Sequence, residues 1–327
     1  MPVKSYIQAV TQALSEEMER DQKVFVLGED VGKRGGVFRA TDGLYEKFGE
    51  ARVLDTPLAE SAIAGVGIGA AMYGMRPVAE MQFADFIMPA VNQIISEAAK
   101  IRYRSNNDWD CPITIRAPYG GGVHGALYHS QSIEAVFANQ PGLKIVMPST
   151  PYDVKGLLKA AIRDDDPVLF FEHKRAYRLI KGEVPDEDYT LPLGKADVKR
   201  NGSDITVITY GLCVHFALQA AEKLEQEGID AHILDLRTVY PLDREAIIEA
   251  ASKTGKVLLL TEDNKEGSII GEVAAIIAEE CLFELDAPIQ RLAGPEVPAM
   301  PYAPTMEKHF MVNPDKVEKA MRELAEF

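Results

Sequence analysis

The sequence predicts an α/β protein with two domains, each built around a parallel sheet. The chain has 327 residues, which exceeds what one hydrophobic core comfortably holds. Short apolar runs alternate strictly with amphipathic helical segments, and this is typical of a parallel sheet covered by helices on both faces. A polar, irregular stretch interrupts the pattern near the middle. We therefore expect domains over residues 1–180 and 204–327, joined by a linker over 181–203.

The first half of the chain begins with a helix from Ser5, because Ile7, Val10 and Leu14 fall on one helical face. Apolar runs that end in a turn indicate buried parallel strands. These strands are KVFVLGED, a segment ending near Leu54, PVAEMQF, CPITIRAP, LKIVMPS and PVLFFEH. The helices between them are expected in the small-residue run after Glu60 and over Met88–Arg102, Ser130–Asn139 and Tyr152–Arg163.

The second half repeats the alternation at a smaller scale, without a convincing sequence repeat of the first. Its expected strands are DITVITYG, DAHILDL, KVLLLTED and APIQRLAG. Its expected helices are Val214–Glu225, Arg244–Ser252, Ser268–Glu280 and Pro314–Leu324.

Charge and composition exclude several classes of function. A net charge of −15 argues against binding to nucleic acid or to an anionic membrane surface. The longest apolar stretch, Ala62–Met75, is too short and too rich in glycine for a membrane span. The three cysteines are widely spaced, and the first residues have no signal-peptide pattern. We therefore expect a cytoplasmic protein with free thiols.

The most informative segment is the run from Glu60 to Ala71, in which one acid precedes a series of alanines and glycines. Two roles for Glu60 remain open: stabilising the first helical turn, where acids are favoured, or transferring protons as a carboxyl that resists ionisation. The glycines of GVGIGA lie within the predicted helix, whereas a dinucleotide fingerprint lies before it. Close packing of the helix is therefore the expected reason for them.

Further candidate residues lie at the carboxyl ends of predicted strands, where ligands of parallel sheets gather. His124 and His129 flank a glycine-rich loop and could exchange protons or bind a metal ion; proton transfer is favoured because the segment offers no third ligand. Phe86 could stack on a flat heterocycle or belong to the core. The acidic turn Asp164–Asp166 could bind a hard cation or be a solvated turn.

Motifs along the whole chain resemble one enzyme family. They occur in the order LGEDVG, GGVFRAT, DTPLAES, GGGVHG, YHSQS, PGLKIVMPSTPYDVKG and DLRTVYPLD. The chain resembles the beta subunit of the decarboxylating dehydrogenase component of 2-oxo acid dehydrogenase complexes. QFADF, AAKIRYRS and HGALYHSQS are more similar to the branched-chain enzymes than to the pyruvate enzymes.

The resemblance implies thiamine diphosphate chemistry on a pyrimidine-binding fold followed by a transketolase C-terminal-like domain. The residue matching Glu60 hydrogen-bonds the aminopyrimidine ring nitrogen of the cofactor. Leu58 and Phe86 match cofactor-binding positions, although some relatives have tyrosine in place of Phe86. His129 matches a histidine that assists acyl transfer to lipoyl sulfur. The family also places a structural potassium ion near the Ile113 carbonyl, Asp164 and Asp166.

The resemblance also implies partner chains. Thiamine enzymes bind the diphosphate through Mg²⁺ with a GDG segment, and this chain has none. An alpha subunit is therefore expected to hold that half of the site in a heterotetramer of two alpha and two beta chains. Lipoyl and peripheral-subunit-binding domains of the acyltransferase core, together with a 2-oxo acid, complete the expected set of partners.

The expected activity is that of 3-methyl-2-oxobutanoate dehydrogenase. Three alternatives remain open: a pyruvate dehydrogenase beta subunit, a non-catalytic scaffold subunit of the same fold, and a transketolase-like sugar transferase. The presence of Glu60, Phe86 and His129 together favours an enzyme over a scaffold.

Overall fold

The computed structural model describes every residue from Met1 to Phe327. The chain divides into two compact units. The first comprises Met1–Tyr119 with Val136–Leu193, and the second comprises Gly120–Ala135 with Gly194–Phe327. The glycine-rich segment with the two histidines thus groups with the C-terminal part of the chain. No helix combines the length and the apolar character needed to cross a membrane.

The first unit is built on six parallel strands and a separate antiparallel pair. The strands are β1 (Val3–Ser5), β2 (Val24–Gly28), β3 (Val53–Asp55), β4 (Arg76–Glu80), β5 (Thr114–Tyr119), β6 (Lys144–Val146), β7 (Val168–His173) and β8 (Lys181–Glu183). The helices up to this point are α1 (Tyr6–Arg20), α2 (Leu44–Phe48), α3 (Glu60–Met72), α4 (Ile101–Arg104), α5 (Glu134–Ala138), α6 (Pro151–Arg163) and α7 (Ala176–Leu179). The parallel strands lie in the order β6-β7-β5-β4-β2-β3, and β1 pairs with β8.

Local sequence signals explain where two long helices of this unit, α1 and α6, begin. The Ser5 hydroxyl accepts the backbone N–H of Gln8, and the Gln8 side chain accepts the N–H of Ser5, which closes a capping box at α1. Helix α6 begins after Thr150, whose hydroxyl accepts the backbone N–H of Asp153 at 3.1 Å. Pro151, at the first position of α6, needs no hydrogen-bond acceptor there.

The glycines of the small-residue run do lie inside a helix, α3, as predicted. A Cβ atom at Gly67 would come within 2.7 Å of the Ile113 side chain, so this glycine lets the helix pack directly on the sheet. On the opposite face, Ala62, Gly65 and Val66 are exposed. An apolar helix face without cover indicates a surface made for contact with a partner.

The prediction of one regular amphipathic α-helix over Met88–Arg102 is wrong, because the segment changes its type of helical turn several times. The segment consists of a 3₁₀ turn at Met88–Ala90, a π turn at Gln93–Glu97, a 3₁₀ turn at Ala98–Lys100 and α4. An added side chain at Gly142 would collide with the carbonyl of Ala99, so the backbone is pressed against another segment there. This close approach accompanies the change of helical pitch, which periodicity alone does not reveal.

The second unit contains a five-stranded sheet. Its strands and helices are β9 (Asp197–Arg200), β10 (Ile205–Thr209), α8 (Cys213–Glu225), β11 (Ala231–Asp235), β12 (Thr238–Tyr240), α9 (Arg244–Thr254), β13 (Val257–Asn264), α10 (Ile269–Glu280), β14 (Gln290–Gly294), α11 (Pro304–Phe310) and α12 (Pro314–Ala325). The sheet order is β14-β13-β10-β11-β9, with β9 antiparallel to β11. The four predicted strands and four predicted helices of this half are confirmed.

A buried ion cluster ties together the strand ends of the first unit. The Arg116 guanidinium donates to Glu80 and Glu172, in each case at 2.6 Å, and Tyr177 donates its hydroxyl to Glu172 at 2.5 Å. Burial raises the pKa of Glu80, and Arg116 opposes that rise. Because Glu80, Arg116 and Glu172 lie on the neighbouring strands β4, β5 and β7, the cluster joins these three strands through their side chains.

Candidate active site

Glu60 is the first residue of α3, five residues beyond the end of β3. The preceding residue, Ala59, makes no side-chain cap to the helix. The carboxyl group of Glu60 is therefore the acidic group nearest the positive end of the helix dipole, which favours a negative charge there. Its side chain is half-exposed, so this chain alone does not enclose it.

A second acid, Glu29, lies beside Glu60 and was missed by the sequence analysis. It directly follows β2, the strand that pairs with β3. The pKa of Glu29 is raised, first by burial and then by the like charges of Asp30 and Glu60. The signal was present, since Glu29 is the acid of LGEDVG immediately after a buried strand. We used that motif only as a family signature.

The adjacent strand ends supply apolar groups to the same edge of the sheet. Leu58, between β3 and α3, has 72% of its surface exposed. Phe86 follows β4 in a 3₁₀ turn, is half-exposed, and meets Phe83 edge-on with ring centroids 5.6 Å apart. Since β4, β2 and β3 are neighbours, the carboxyl ends of three adjacent strands present Phe86, Glu29 and the Leu58–Glu60 segment. We call this edge the acid–aromatic rim.

The acid–aromatic rim has the chemistry that a flat, nitrogen-containing ring requires. An exposed leucine and a half-exposed phenylalanine offer apolar contact, while Glu60 offers a carboxyl group that can accept or share a proton. A fully buried, purely apolar edge would have offered such a ring neither access nor a hydrogen-bonding partner. The rim therefore fits the pyrimidine half of thiamine diphosphate.

His129 lies in the second unit, on the segment Gly120–Ser130, which we call the histidine loop. The loop begins right after β5 and contains four residues with left-handed backbone angles, two of which, His124 and Ala126, are not glycine. A Cβ atom at Gly125 would lie 2.6 Å from the carbonyl oxygen of His129, so the loop folds back on itself at this point. His129 is half-exposed and His124 is exposed.

Acidic side chains from distant parts of the sequence support the histidine loop. Glu262, near the end of β13, accepts the backbone N–H of Gly121 at 2.6 Å. Glu307, on α11, accepts the backbone N–H groups of Gly122 and His124 at 3.2 and 3.1 Å. No sequence signal pointed to these contacts, because each joins residues more than a hundred positions apart.

A buried acid, Glu134, follows the histidine loop at the start of α5 and lies near the half-buried Asp263. Glu134 accepts the hydroxyl of Tyr210 at 2.7 Å, while its second oxygen is buried without a hydrogen-bond partner. Burial raises the pKa of Glu134 to about 8, and the nearby Asp263 carboxylate adds to the rise. Burial also raises the pKa of Asp263 to about 6.

The residues expected to bind potassium are engaged with protein cations. Lys144 donates to both carboxylate oxygens of Asp164 at 2.7 and 2.6 Å, and Arg102 donates to Asp166 at 2.5 Å. The carbonyl of Ile113 accepts a backbone N–H from β7 at 2.9 Å. No cluster of three or more His, Cys, Asp or Glu side chains is arranged to hold a metal ion. The carboxylates of Asp164 and Asp166 are thus paired with cations of the protein itself.

Comparisons with known proteins agree with this architecture. Residues 3–180 match the family described as transketolase, pyrimidine binding domain, and residues 194–317 match transketolase, C-terminal domain. A solved structure described as a split gene transketolase, inactive beta4 tetramer, superposes with a TM-score of 0.80 over 98% of each chain at 24% identity. That likeness concerns the fold alone. The chain thus has the two-domain architecture of transketolase-like proteins.

Within that class, the chain belongs to the beta subunits of the 2-oxo acid dehydrogenases. It is 84% identical to the 2-oxoisovalerate dehydrogenase subunit beta of Bacillus subtilis (strain 168), over the whole of both chains. It is 48% identical to the pyruvate dehydrogenase E1 component subunit beta of the same organism, again over the whole of both chains. The fold and the family inferred from the sequence motifs are confirmed.

Proposed function

We propose that this chain is the beta subunit of a branched-chain 2-oxo acid dehydrogenase. The observation that carries the proposal is the 84% identity to a 2-oxoisovalerate dehydrogenase subunit, against 48% to a pyruvate dehydrogenase subunit. The reaction is oxidative decarboxylation of a 2-oxo acid, with transfer of the acyl group to a lipoyl group of the acyltransferase core. The domain limits 1–180 and 204–327, with the linker 181–203, are part of this proposal.

Thiamine diphosphate, when bound, supplies the electron sink that allows a 2-oxo acid to lose carbon dioxide. Within the acid–aromatic rim, Glu60 holds a proton at the pyrimidine ring nitrogen, while Leu58 and Phe86 pack against the ring. The position of Glu60 at the start of α3 supports this role, because the half-exposed carboxyl group remains accessible to a ligand. Glu29 adds a second acid beside Glu60, and its raised pKa means that it holds a proton more readily than an ordinary carboxyl.

His129 moves a proton as the acyl group passes to a lipoyl sulfur and the S–S bond of the lipoyl ring breaks. Its half-exposed position on the histidine loop, with exposed Leu127 and Tyr128 beside it, supports contact with an entering group. An imidazole has one nitrogen that can accept a proton and one that can donate it, so it can serve as acid and base at this step.

The alpha subunit holds the Mg²⁺-diphosphate half of the site, and the activity depends on it. Two features support this division: the chain has no GDG segment, and α3 exposes an apolar face of small residues beside Glu60. An uncovered face of this kind allows another backbone to approach closely. The three buried, unpaired cysteines support a cytoplasmic, reducing environment.

The experiment that tests the function is co-expression with an alpha subunit, followed by decarboxylation assays on three substrates. We expect kcat/KM for 3-methyl-2-oxobutanoate and 4-methyl-2-oxopentanoate to exceed that for pyruvate by at least about tenfold, the scale on which a pocket discriminates a few methylene groups. Equal or greater efficiency with pyruvate would contradict the branched-chain assignment. Absence of turnover with all three substrates would contradict the proposed function itself.

A further inference from the structure

One carboxylate, that of Glu307, contacts the histidine loop at three points. Its Oε1 atom accepts the backbone N–H groups of Gly122 and His124, and its Oε2 atom lies 2.6 Å from Nδ1 of His124. Glu307 is 3% exposed, so these contacts are made away from bulk water. A buried carboxylate that accepts several N–H groups holds them more tightly than neutral acceptors do.

The backbone that Glu307 contacts has conformations that L-amino acids rarely adopt. Gly122 has φ +79°, His124 has φ +58° and Ala126 has φ +54°. Each non-glycine residue in this region costs on the order of 1 kcal/mol and persists only where surrounding contacts fix it. Glu307 and Glu262 supply such contacts from outside the loop.

The same carboxylate determines which nitrogen of His124 carries a proton. An ionised carboxylate only accepts hydrogen bonds, so Nδ1 must be the protonated nitrogen at 2.6 Å from Oε2. In the neutral imidazole, Nε2 is then an acceptor. The His124 side chain is 57% exposed. A histidine oriented by a buried carboxylate, with its other nitrogen free at the surface, is the arrangement that general bases use.

We propose that Glu307 is a positioning residue: it orients His124 with Nε2 free to accept a proton and holds the histidine loop in the conformation that acyl transfer needs. This proposal rests on the proposed function and extends it to a pair of residues outside the acid–aromatic rim. As the acyl group bonds to one lipoyl sulfur, the S–S bond of the lipoyl ring breaks and oxidises the acyl group, and the other sulfur leaves as a thiolate. Nε2 of His124 would take up a proton and pass it to that thiolate, in support of His129.

The first test measures the imidazole itself and needs no activity. In the full-length chain with ¹⁵N-labelled histidine, NMR should show His124 in the Nδ1–H form when neutral. In Glu307→Gln, the amide oxygen can still accept the two backbone N–H groups, but the amide nitrogen donates to Nδ1. The variant should therefore keep the loop and show His124 in the Nε2–H form. An Nε2–H form in the wild type, or no change in the variant, would overturn the proposal.

The second test separates the two half-reactions in the enzyme assembled with its alpha subunit. Glu307→Gln and His124→Gln should each lower the rate of acyl transfer to a lipoyl domain by about tenfold or more. A loss of this size is expected when a group that accepts and donates protons is removed or misoriented. Decarboxylation followed with an artificial electron acceptor should stay within about threefold of wild type. The double variant should be no worse than either single one, because both remove the same interaction.

A matched control is Glu279→Gln, since Glu279 is an exposed acid of α10 near Arg244. It should change neither half-reaction nor the His124 spectrum. Equal loss of both half-reactions in Glu307→Gln would give Glu307 only a structural role. If the wild-type enzyme fails to decarboxylate any 2-oxo acid, the proposed function fails, whereas the tautomer result still decides how Glu307 orients His124.

Discussion

Replacing Glu134 by glutamine should remove a dependence of stability on pH. The pKa of Glu134 rises from an ordinary value of 4.5 to about 8 in the folded chain. Between these two pH values the folded state therefore binds more protons than the unfolded state. The resulting stabilisation is fully present below about pH 4.5 and is lost as the pH rises through about 8. At about 1.4 kcal/mol per pKa unit, the loss between pH 5 and pH 8 is on the order of 4 kcal/mol.

The structure explains why glutamine is the informative replacement. The hydroxyl of Tyr210 donates to Oε1 of Glu134, and an amide oxygen can accept the same hydrogen bond. Glutamine has no charge to bury, and it does not add to the negative charge of Asp263. The two proteins should therefore be similar in stability near pH 5 and diverge above it, with the variant the more stable.

Denaturant unfolding of the full-length chain at five pH values from 5 to 9 measures the effect. The free energy of unfolding should fall with pH more steeply in the wild type than in Glu134→Gln. Asp263, with its own raised pKa, leaves a smaller pH dependence in the variant, at the acidic end of the range. Parallel curves for the two proteins would refute a buried protonated carboxyl at this position.

Three further predictions concern activity and assembly. Glu60→Gln in the assembled enzyme should lower kcat on the order of 100-fold or more without unfolding the protein, and a change of only a few-fold would leave Glu60 as a helix-stabilising residue. His129→Ala should largely spare decarboxylation with an artificial acceptor but severely reduce acyl transfer, and equal loss in both assays would assign it to an earlier step. Binding to the acyltransferase core, which we expect to involve a basic peripheral-subunit-binding domain, should weaken as salt rises. Neutralising the exposed acids Glu296, Glu323 and Glu326 should weaken it too; binding unchanged by salt or by these substitutions would exclude this docking surface.

The fold could be predicted from the sequence because its signals are local. Apolar runs bounded by turns locate the parallel strands, and three-to-four-residue periodicity locates most helices. The form of the segment Met88–Glu97 was mispredicted as a regular α-helix, because a π turn and a 3₁₀ turn keep a helix-like periodicity while changing the pitch. The edge strand β9 was not predicted, because most of its residues are charged and none is fully buried.

The candidate site was predictable only where its residues follow strands. Glu60, Leu58 and Phe86 lie at adjacent strand ends, as the α/β pattern requires. The contacts of Glu307 with the histidine loop depend on tertiary folding over more than 180 positions, and no local pattern encodes them. The carboxyl group of Glu60 is half-exposed, so this chain alone does not bury it.

The central claim is that this chain supplies one half of a thiamine diphosphate site and needs an alpha subunit for the other half. Calorimetric titration of thiamine diphosphate with Mg²⁺ into the chain alone, into the chain assembled with its alpha subunit, and into the assembled Glu60→Gln variant tests it directly. We expect tight, saturable binding and turnover only in the assembled wild type, with binding weakened and turnover lost when Glu60 is replaced. Tight cofactor binding or decarboxylation by the chain alone would contradict the claim.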